Sequence, residues 1–350
     1  MSSTSRSTVT LAISFTLAAL LWCLTTAIPA GAQSLVVREA WSTLGPESSP
    51  FGSVTGVAES ATGEIWVSDG RLSEVLILDA EGRHLRKLGG RGEGPGEFSA
   101  PSSIAAAEGN LMAVFDVGRS SVELFTADGS FVRRVLLDLQ LFNIKGFVSL
   151  PDGGFVISGG VFSKDFAIHR FDPEGKWVES WGALPEPTVP NPSVQESVLS
   201  VAGGPLALAH GKDLLYSQAA PHRILTFPGL STPGVLFAED AELLKPIVDE
   251  FLRSEMVEGV RRIRPRWFFD QSRSIVSLEA GVLNSITFER RGETFWQLYD
   301  RSGHLVATTR SPVEYWVWGS TRNGDLLATG WDMTTEETRA VRLRVRVEQP

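Results

Sequence analysis

Over most of the chain, apolar and polar positions alternate in short runs separated by Gly, Asp-Gly or Pro. Val75-Leu-Ile-Leu-Asp-Ala-Glu-Gly82 is one such run with its turn, and Val122-Glu-Leu-Phe-Thr-Ala-Asp-Gly129 repeats it. The pattern returns in Ile168-His-Arg-Phe-Asp-Pro-Glu-Gly175 and Trp296-Gln-Leu-Tyr-Asp-Arg-Ser-Gly303, and more loosely in Ile224-Leu-Thr-Phe-Pro-Gly229. A second run stands upstream of the clearest copies: Gly63-Glu-Ile-Trp-Val-Ser-Asp69, Gly109-Asn-Leu-Met-Ala-Val-Phe-Asp116 and Gly154-Phe-Val-Ile-Ser-Gly159. Gly211-Lys-Asp-Leu-Leu-Tyr-Ser217 and Gly324-Asp-Leu-Leu-Ala-Thr-Gly330 have the same form. Short β-rich runs punctuated by turn glycines predict antiparallel hairpins.

The glycines that end the five copies lie 47, 46, 54 and 74 residues apart. Four strands in roughly 45 residues is the period of a propeller blade. Such a sheet is apolar on both faces, and only a closed ring of like sheets covers them all. The expected units are 54–89, 102–138, 145–183, 196–237, 265–310 and 312–350, an all-β six-bladed propeller of four-stranded antiparallel blades. The last unit contains three strands, while Leu35-Val-Val-Arg-Glu-Ala-Trp41 is left over near the start. Placing that segment as the outer strand of the last unit closes the ring and protects an open edge. Val341 to Val347 alternates strictly, so Arg342, Arg344 and Arg346 share one face, read as a solvated edge.

The long gap before the fifth copy predicts an insertion. Leu244, Ile247, Val248, Phe251, Leu252, Val260 and Ile263 recur mostly at three-and-four spacing. Acidic residues precede them and Arg261, Arg262 and Arg264 follow, so 238–264 reads as an amphipathic helix.

Residues 1–32 read as a leader: Arg6, then the apolar stretch Leu11 to Leu24, then Ala30-Gly31-Ala32. At 14 residues that stretch falls short of a membrane span. A cleaved signal peptide, with no stable span after cleavage, is therefore expected, followed by a propeller domain at 33–350. Cys23, the sole cysteine, follows Leu21 and Trp22 rather than small residues, so it reads as part of the leader and not a lipidation site. The remainder has no thiol for disulfides or cysteine-ligated metals. A secreted or periplasmic address is the expectation.

Of the chain's 350 residues, 43% are hydrophobic and the formal charge is −9. Removing the leader's single charge, Arg6, leaves −10, which argues against a nucleic-acid partner.

The loop Gly89-Gly-Arg-Gly-Glu-Gly-Pro-Gly-Glu-Phe98, followed by Pro101 and Ile104, resembles the linker between NHL-type repeats. Gly63 to Asp69 and Val75 to Gly82 resemble the rest of that repeat, and the whole chain is similar to exported bacterial six-bladed propeller proteins. The resemblance implies a ligand- or partner-binding scaffold. It carries fold more firmly than function.

Candidate chemistry is sparse. The glycine-rich loop has no Gly-Lys-Ser/Thr and precedes a strand, so it reads as a turn and not a phosphate cradle. His84, His169, His210, His222 and His304 show no metal-ligand spacing. Asp69 and Asp116 end equivalent strands and read as turn residues accepting backbone hydrogen bonds. Trp66, Trp267, Trp316 and Trp318 read as packing between blades. In a propeller the strand-two-to-three loops and the inter-blade linkers share one face. The ligand-binding candidates there are Arg71, Arg91 and Arg119, for anion recognition, with His222, Trp331 and Asp332. The expected function is a non-catalytic binding or interaction propeller, its partner a small ligand or an envelope protein, with no cofactor. The alternative, by resemblance to other six-bladed propellers, is a metal-dependent hydrolase, lactonase or lyase at the channel mouth with calcium as a candidate metal, although no motif of those enzymes is matched here.

Overall fold

The computed structural model describes residues 33–47, 50–161, 166–183, 203–209, 213–218, 222–231, 233–239, 249–257, 260–268, 270–288, 293–311, 315–332 and 337–348. The leader and residues 241–248 lie outside them. The architecture is all-β, with two single-turn 3₁₀ segments, Glu108–Asn110 and Pro228–Leu230, as its only described helix.

Four sheets follow one another as meanders. The first holds β2 (Val54–Glu59), β3 (Ile65–Asp69), β4 (Glu74–Leu78) and β5 (His84–Gly89); the second holds β6 (Pro101–Ala107), β7 (Leu111–Asp116), β8 (Ser121–Thr126) and β9 (Phe131–Leu136). The third comprises β10 (Phe142–Ser149), β11 (Phe155–Gly160), β12 (Phe166–Phe171) and β13 (Trp177–Ala183). The fourth comprises β14 (Leu206–Ala209), β15 (Asp213–Gln218), β16 (Arg223–Phe227) and β17 (Val235–Glu239).

An eight-stranded sheet completes the arrangement. It contains β20 (Asp270–Leu278), β21 (Gly281–Phe288), β22 (Glu293–Tyr299) and β23 (Leu305–Ser311) as one meander, and β24 (Tyr315–Ser320), β25 (Leu326–Asp332) and β26 (Glu337–Glu348) as another. Between the two lies β1 (Gln33–Thr43), antiparallel to β26 from Ser34↔Glu348 to Thr43↔Ala340. Two parallel pairs, Gln33↔Ala307 and Ser34↔Thr308, join β1 to β23. The leftover segment thus takes the outer position of the last meander.

One expected element is of a different kind. Residues 249–268 form an antiparallel hairpin, β18 (Asp249–Val257) and β19 (Val260–Phe268), not a helix. Of the residues that carry the three-and-four spacing, Phe251 and Leu252 fall on β18 and Val260 and Ile263 on β19, while Leu244, Ile247 and Val248 lie outside the described residues. Within β19, Ile263, Pro265 and Trp267 alternate with Arg262, Arg264 and Arg266, which is the strand period.

Apolar clusters join successive sheets. Trp66 and Phe125 pack between the first and second, Phe115, Phe147 and Phe155 between the second and third, and Trp181 and Phe227 between the third and fourth. Leu215 meets Ile275 and Val282 beyond that, and Val57 and Val67 of the first sheet pack with Leu327 and Ala340 of the last. The innermost strands β2, β6, β10, β14, β20 and β24 each pack on the next, and β24 on β2. Close approach between them requires glycine in two places. A Cβ at Gly56 would meet the Ile104 amide at 2.8 Å, and one at Gly146 the Leu206 amide at 2.7 Å.

The repeated turns share one device. In Asp300-Arg-Ser-Gly303 the Asp300 carboxylate accepts the amides of Ser302 (2.8 Å) and His304 (3.0 Å), with Gly303 at φ 83°. The His304 amide, helped by that of Ser302, holds the Asp300 carboxyl below the usual range. At the matching turn of the second sheet, the Thr126 hydroxyl and the Ser130 amide lower Asp128 in the same way. Because the folded-state values are depressed, the stability these turns supply is complete above the ordinary aspartate range. It is lost as pH falls through the lowered values. The double variant Asp128→Asn/Asp300→Asn should therefore show a shallower loss of unfolding free energy between about pH 5 and pH 2 than the parent, measured by urea denaturation across that range.

Candidate functional site

The linker between the first two sheets shows what the glycine-rich loop does. The Phe98 ring is fully buried against Phe125, with centroids 5.9 Å apart. The Phe98 amide donates to the Gly90 carbonyl (2.9 Å) and the Gly94 amide to the Glu97 carboxylate (2.7 Å). Arg134, ion-paired with buried Glu123 (2.6 Å), donates to the carbonyls of Glu93 (3.2 Å) and Gly94 (3.0 Å). These amides point inward to protein acceptors, so the loop is a strut between sheets.

Asp69 and Asp116, both wholly buried, tie each linker to its sheet. Asp69 accepts four backbone amides: Gly52 at 2.6 Å on Oδ2, then Ser53 (3.1 Å), Arg71 (3.0 Å) and Leu72 (2.9 Å) on Oδ1. Asp116 repeats this with Ser99 (2.6 Å), Ala100 (2.9 Å) and Gly118 (3.0 Å). Both carboxylates accept the turn amides, as their positions in the repeat predict, and they also hold the incoming linker, which the repeat by itself does not mark.

The later sheets replace the carboxylate. In the third, the Ser158 hydroxyl donates to the Gly204 carbonyl (2.5 Å). Beyond the fourth, the Ser272 hydroxyl donates to Ser217 (2.6 Å), whose hydroxyl donates to Asn284 Oδ1 (2.8 Å). Asn284 Nδ2 lies 3.5 Å from His222 Nε2, and His222 Nδ1 lies 3.1 Å from the Gln218 carbonyl. A carbonyl only accepts, so Nδ1 carries the proton and Nε2 receives the amide hydrogen.

The expected ligand residues therefore divide. Arg119 is nearly buried; its Nη1 donates to the Glu97 carbonyl (2.7 Å) and contacts Asp116 (3.3 Å), making it part of the strut. His222 belongs to the buried network between sheets. Arg71 and Arg91 are exposed, and the stem of Arg71 lies against Gly52. Trp331 is exposed near the end of β25, where Asp332 is the last residue.

The channel carries a constellation built on Trp316, which faces the channel partly exposed and does not pack between blades as its sequence position suggests. Trp316 of β24 lies under two cations: Arg273 Cζ of β20 is 5.3 Å from its ring centroid and Lys145 Nζ of β10 is 5.8 Å. Trp316 also stacks on Trp318, with centroids 5.5 Å apart and planes at 16°. In the order of inner strands, β10 stands opposite β24, so Lys145 and Trp316 can meet only across the channel. All three side chains are partly exposed, and they occupy the early halves of their strands, the end at which the linkers enter. No local signal marked Lys145 or Arg273, because each is an isolated cation in a strand start.

Towards the other end, all six inner strands line one cavity of about 330 Å³. Its walls are mainly apolar, among them Val57, Ala105, Val148 and Ala207, with Ser149, Ser277 and Ser320 as hydroxyls. Glu59 is its carboxylate and accepts the Arg322 amide (2.7 Å). Among the described residues no group of three His, Cys, Asp or Glu side chains stands close enough to hold a metal ion.

The comparisons agree on architecture. A family model described as a 6-bladed beta-propeller matches residues 45–156. None of the curated proteins matches the chain. A solved protein of Bacteroides fragilis NCTC 9343, described as exported, superposes with TM-score 0.56 at 12% identity, covering 91% of this chain and 97% of its own. A streptogramin B lyase gives TM-score 0.52 at 11% identity, covering 89% and 98%. The PQQ-bound aldose sugar dehydrogenase of Streptomyces coelicolor gives 0.53 at 15%, covering 91% and 100%. At these identities the likeness is one of fold, and this chain is an all-β protein of propeller type.

Proposed function

We propose that the chain is an exported six-bladed propeller that binds a small anionic ligand without chemistry, at the linker end of its channel. The single observation that carries this reading is the convergence of Lys145, Arg273 and Trp316 from three separate sheets. Two cations beside a stacked indole pair suit a carboxylate or phosphate joined to a planar or apolar body. The mainly apolar cavity beyond accepts that body. Support for six blades comes from the six inner strands around one cavity and from the matching family description. Support for export comes from the leader.

Panels of aromatic carboxylates and sugar phosphates, titrated against tryptophan fluorescence, test the reading. At least one class should quench the parent, and the double variant Lys145→Gln/Arg273→Gln should bind it at least about tenfold more weakly, the loss of one to two charge-assisted contacts. Equal binding by parent and variant would refute the assignment. Stoichiometric calcium or zinc in the purified protein would return the metal-dependent hydrolase or lyase reading.

A further inference from the structure

The seam where the chain's two ends meet carries a second positively charged site. In the β1–β26 ladder Arg38 stands directly opposite Arg344, and Val36 opposite Arg346. Directly paired residues share a face and their Cβ atoms lie about 5 Å apart, so the outer surface of the seam presents Arg38, Arg344 and Arg346 side by side. Like charges directly opposite oppose pairing. A Glu at either place would favour it.

The neighbouring acids offset the group only in part, and Glu348, at the edge of the hollow, makes no ion pair with the three arginines among the described residues. Asp325 is taken by Arg342 at 2.7 Å and reaches Arg344 only at 3.9 Å. Glu39 accepts the Tyr315 hydroxyl (2.6 Å) and pairs with Arg339 (3.3 Å). Arg38 and Arg346 form no ion pair among the described residues, and Arg38, Arg344 and Arg346 are all exposed. These three, with Val36, Glu39 and Glu348, line a hollow of about 190 Å³. Three guanidinium groups around a hollow of that size, on a protein otherwise strongly acidic, form a receptor for a tetrahedral oxyanion.

We infer that Arg38, Arg344 and Arg346 bind a phosphate group at the seam, and that the bound phosphate strengthens the closure of the sheet by relieving the Arg38–Arg344 repulsion. The site is separate from the channel and does not depend on the reading given for it. The group could be inorganic phosphate or a phospholipid headgroup, and the experiment separates them.

Thermal unfolding of the full chain is followed in phosphate and in chloride at matched ionic strength. Sedimentation with vesicles of phosphatidylglycerol or phosphatidylcholine runs alongside. The expected result is a higher Tm in phosphate, abolished in Arg38→Gln/Arg344→Gln/Arg346→Gln. Binding to phosphatidylglycerol vesicles with no response to free phosphate assigns the group to a lipid surface. The single variant Arg38→Glu guards against misfolding. It should unfold at a higher temperature than the parent in chloride and respond at least about tenfold more weakly to phosphate. An equal Tm rise in parent and triple variant is a general salting effect and overturns the site. So does the absence of both a phosphate response and vesicle binding.

Discussion

Asp69→Ala should cost the protein about 4 kcal/mol of unfolding free energy, because it strands four backbone amides that a single buried carboxylate now satisfies. No water can replace the carboxylate without entering a position that is wholly closed to solvent. Asp69→Asn separates charge from geometry. The amide oxygen can keep Ser53, Arg71 and Leu72, but its NH₂ then faces the Gly52 amide, donor against donor. The expected loss for Asn is roughly half that for Ala. Urea denaturation of the three proteins measures both. A change below about 1 kcal/mol for Asp69→Ala would mean that the linker is held by packing alone. Asp116→Ala should behave alike, with Arg119 also losing a partner.

Leu35→Asp is expected to be at least as damaging. Leu35 is 2% exposed and packs with Trp296, Val341 and Leu343, so it couples β1 to both meanders of the eight-stranded sheet. Burying an unpaired carboxylate there, and losing the leucine, should cost about 4 kcal/mol or more. The damage should spread beyond the local strand. Releasing β1 exposes the outer edge of β26, a row of unpaired amides and carbonyls on an alternating strand. The variant should therefore both unfold earlier and aggregate, as read by calorimetry and light scattering. Leu35→Ala, which removes volume without adding charge, should lower stability by about 2 to 4 kcal/mol and leave the protein monodisperse. If Leu35→Asp matches the parent in both measurements, the N-terminal strand does not latch the fold.

Much of this architecture is written locally. The Asp-x-x-Gly turns are self-contained, since each aspartate serves amides two and four residues on and each glycine supplies its own positive φ. Their spacing reveals the meanders without any knowledge of neighbours. The turn bonds of Asp69 and Asp116 are legible for the same reason, since a residue that ends a strand in two copies serves two like turns, whereas their linker bonds reach 16 and 17 residues back and are not. The hairpin at 249–268 is not legible in the sequence because helix and strand periods coincide over short apolar runs. Phe251 and Leu252 belong to one strand and Val260 and Ile263 to the other, so a single window across the Val257↔Val260 turn joins residues that share no element. Nothing local to Arg119 shows its role in the strut, because its partner, the Glu97 carbonyl, belongs to the preceding linker.

From its own order of residues the chain determines most of the strands, the turns and the repeat, since each depends on contacts within a few positions, and counting the strands leaves one segment over to finish the final sheet. Which side chains meet is another matter. Lys145, Arg273 and Trp316 come from three sheets far apart in the chain. Arg38 and Arg344 become neighbours only when the two ends of the chain pair. Those meetings are set by the order and tilt of whole sheets around an axis, and no local run of residues carries that information.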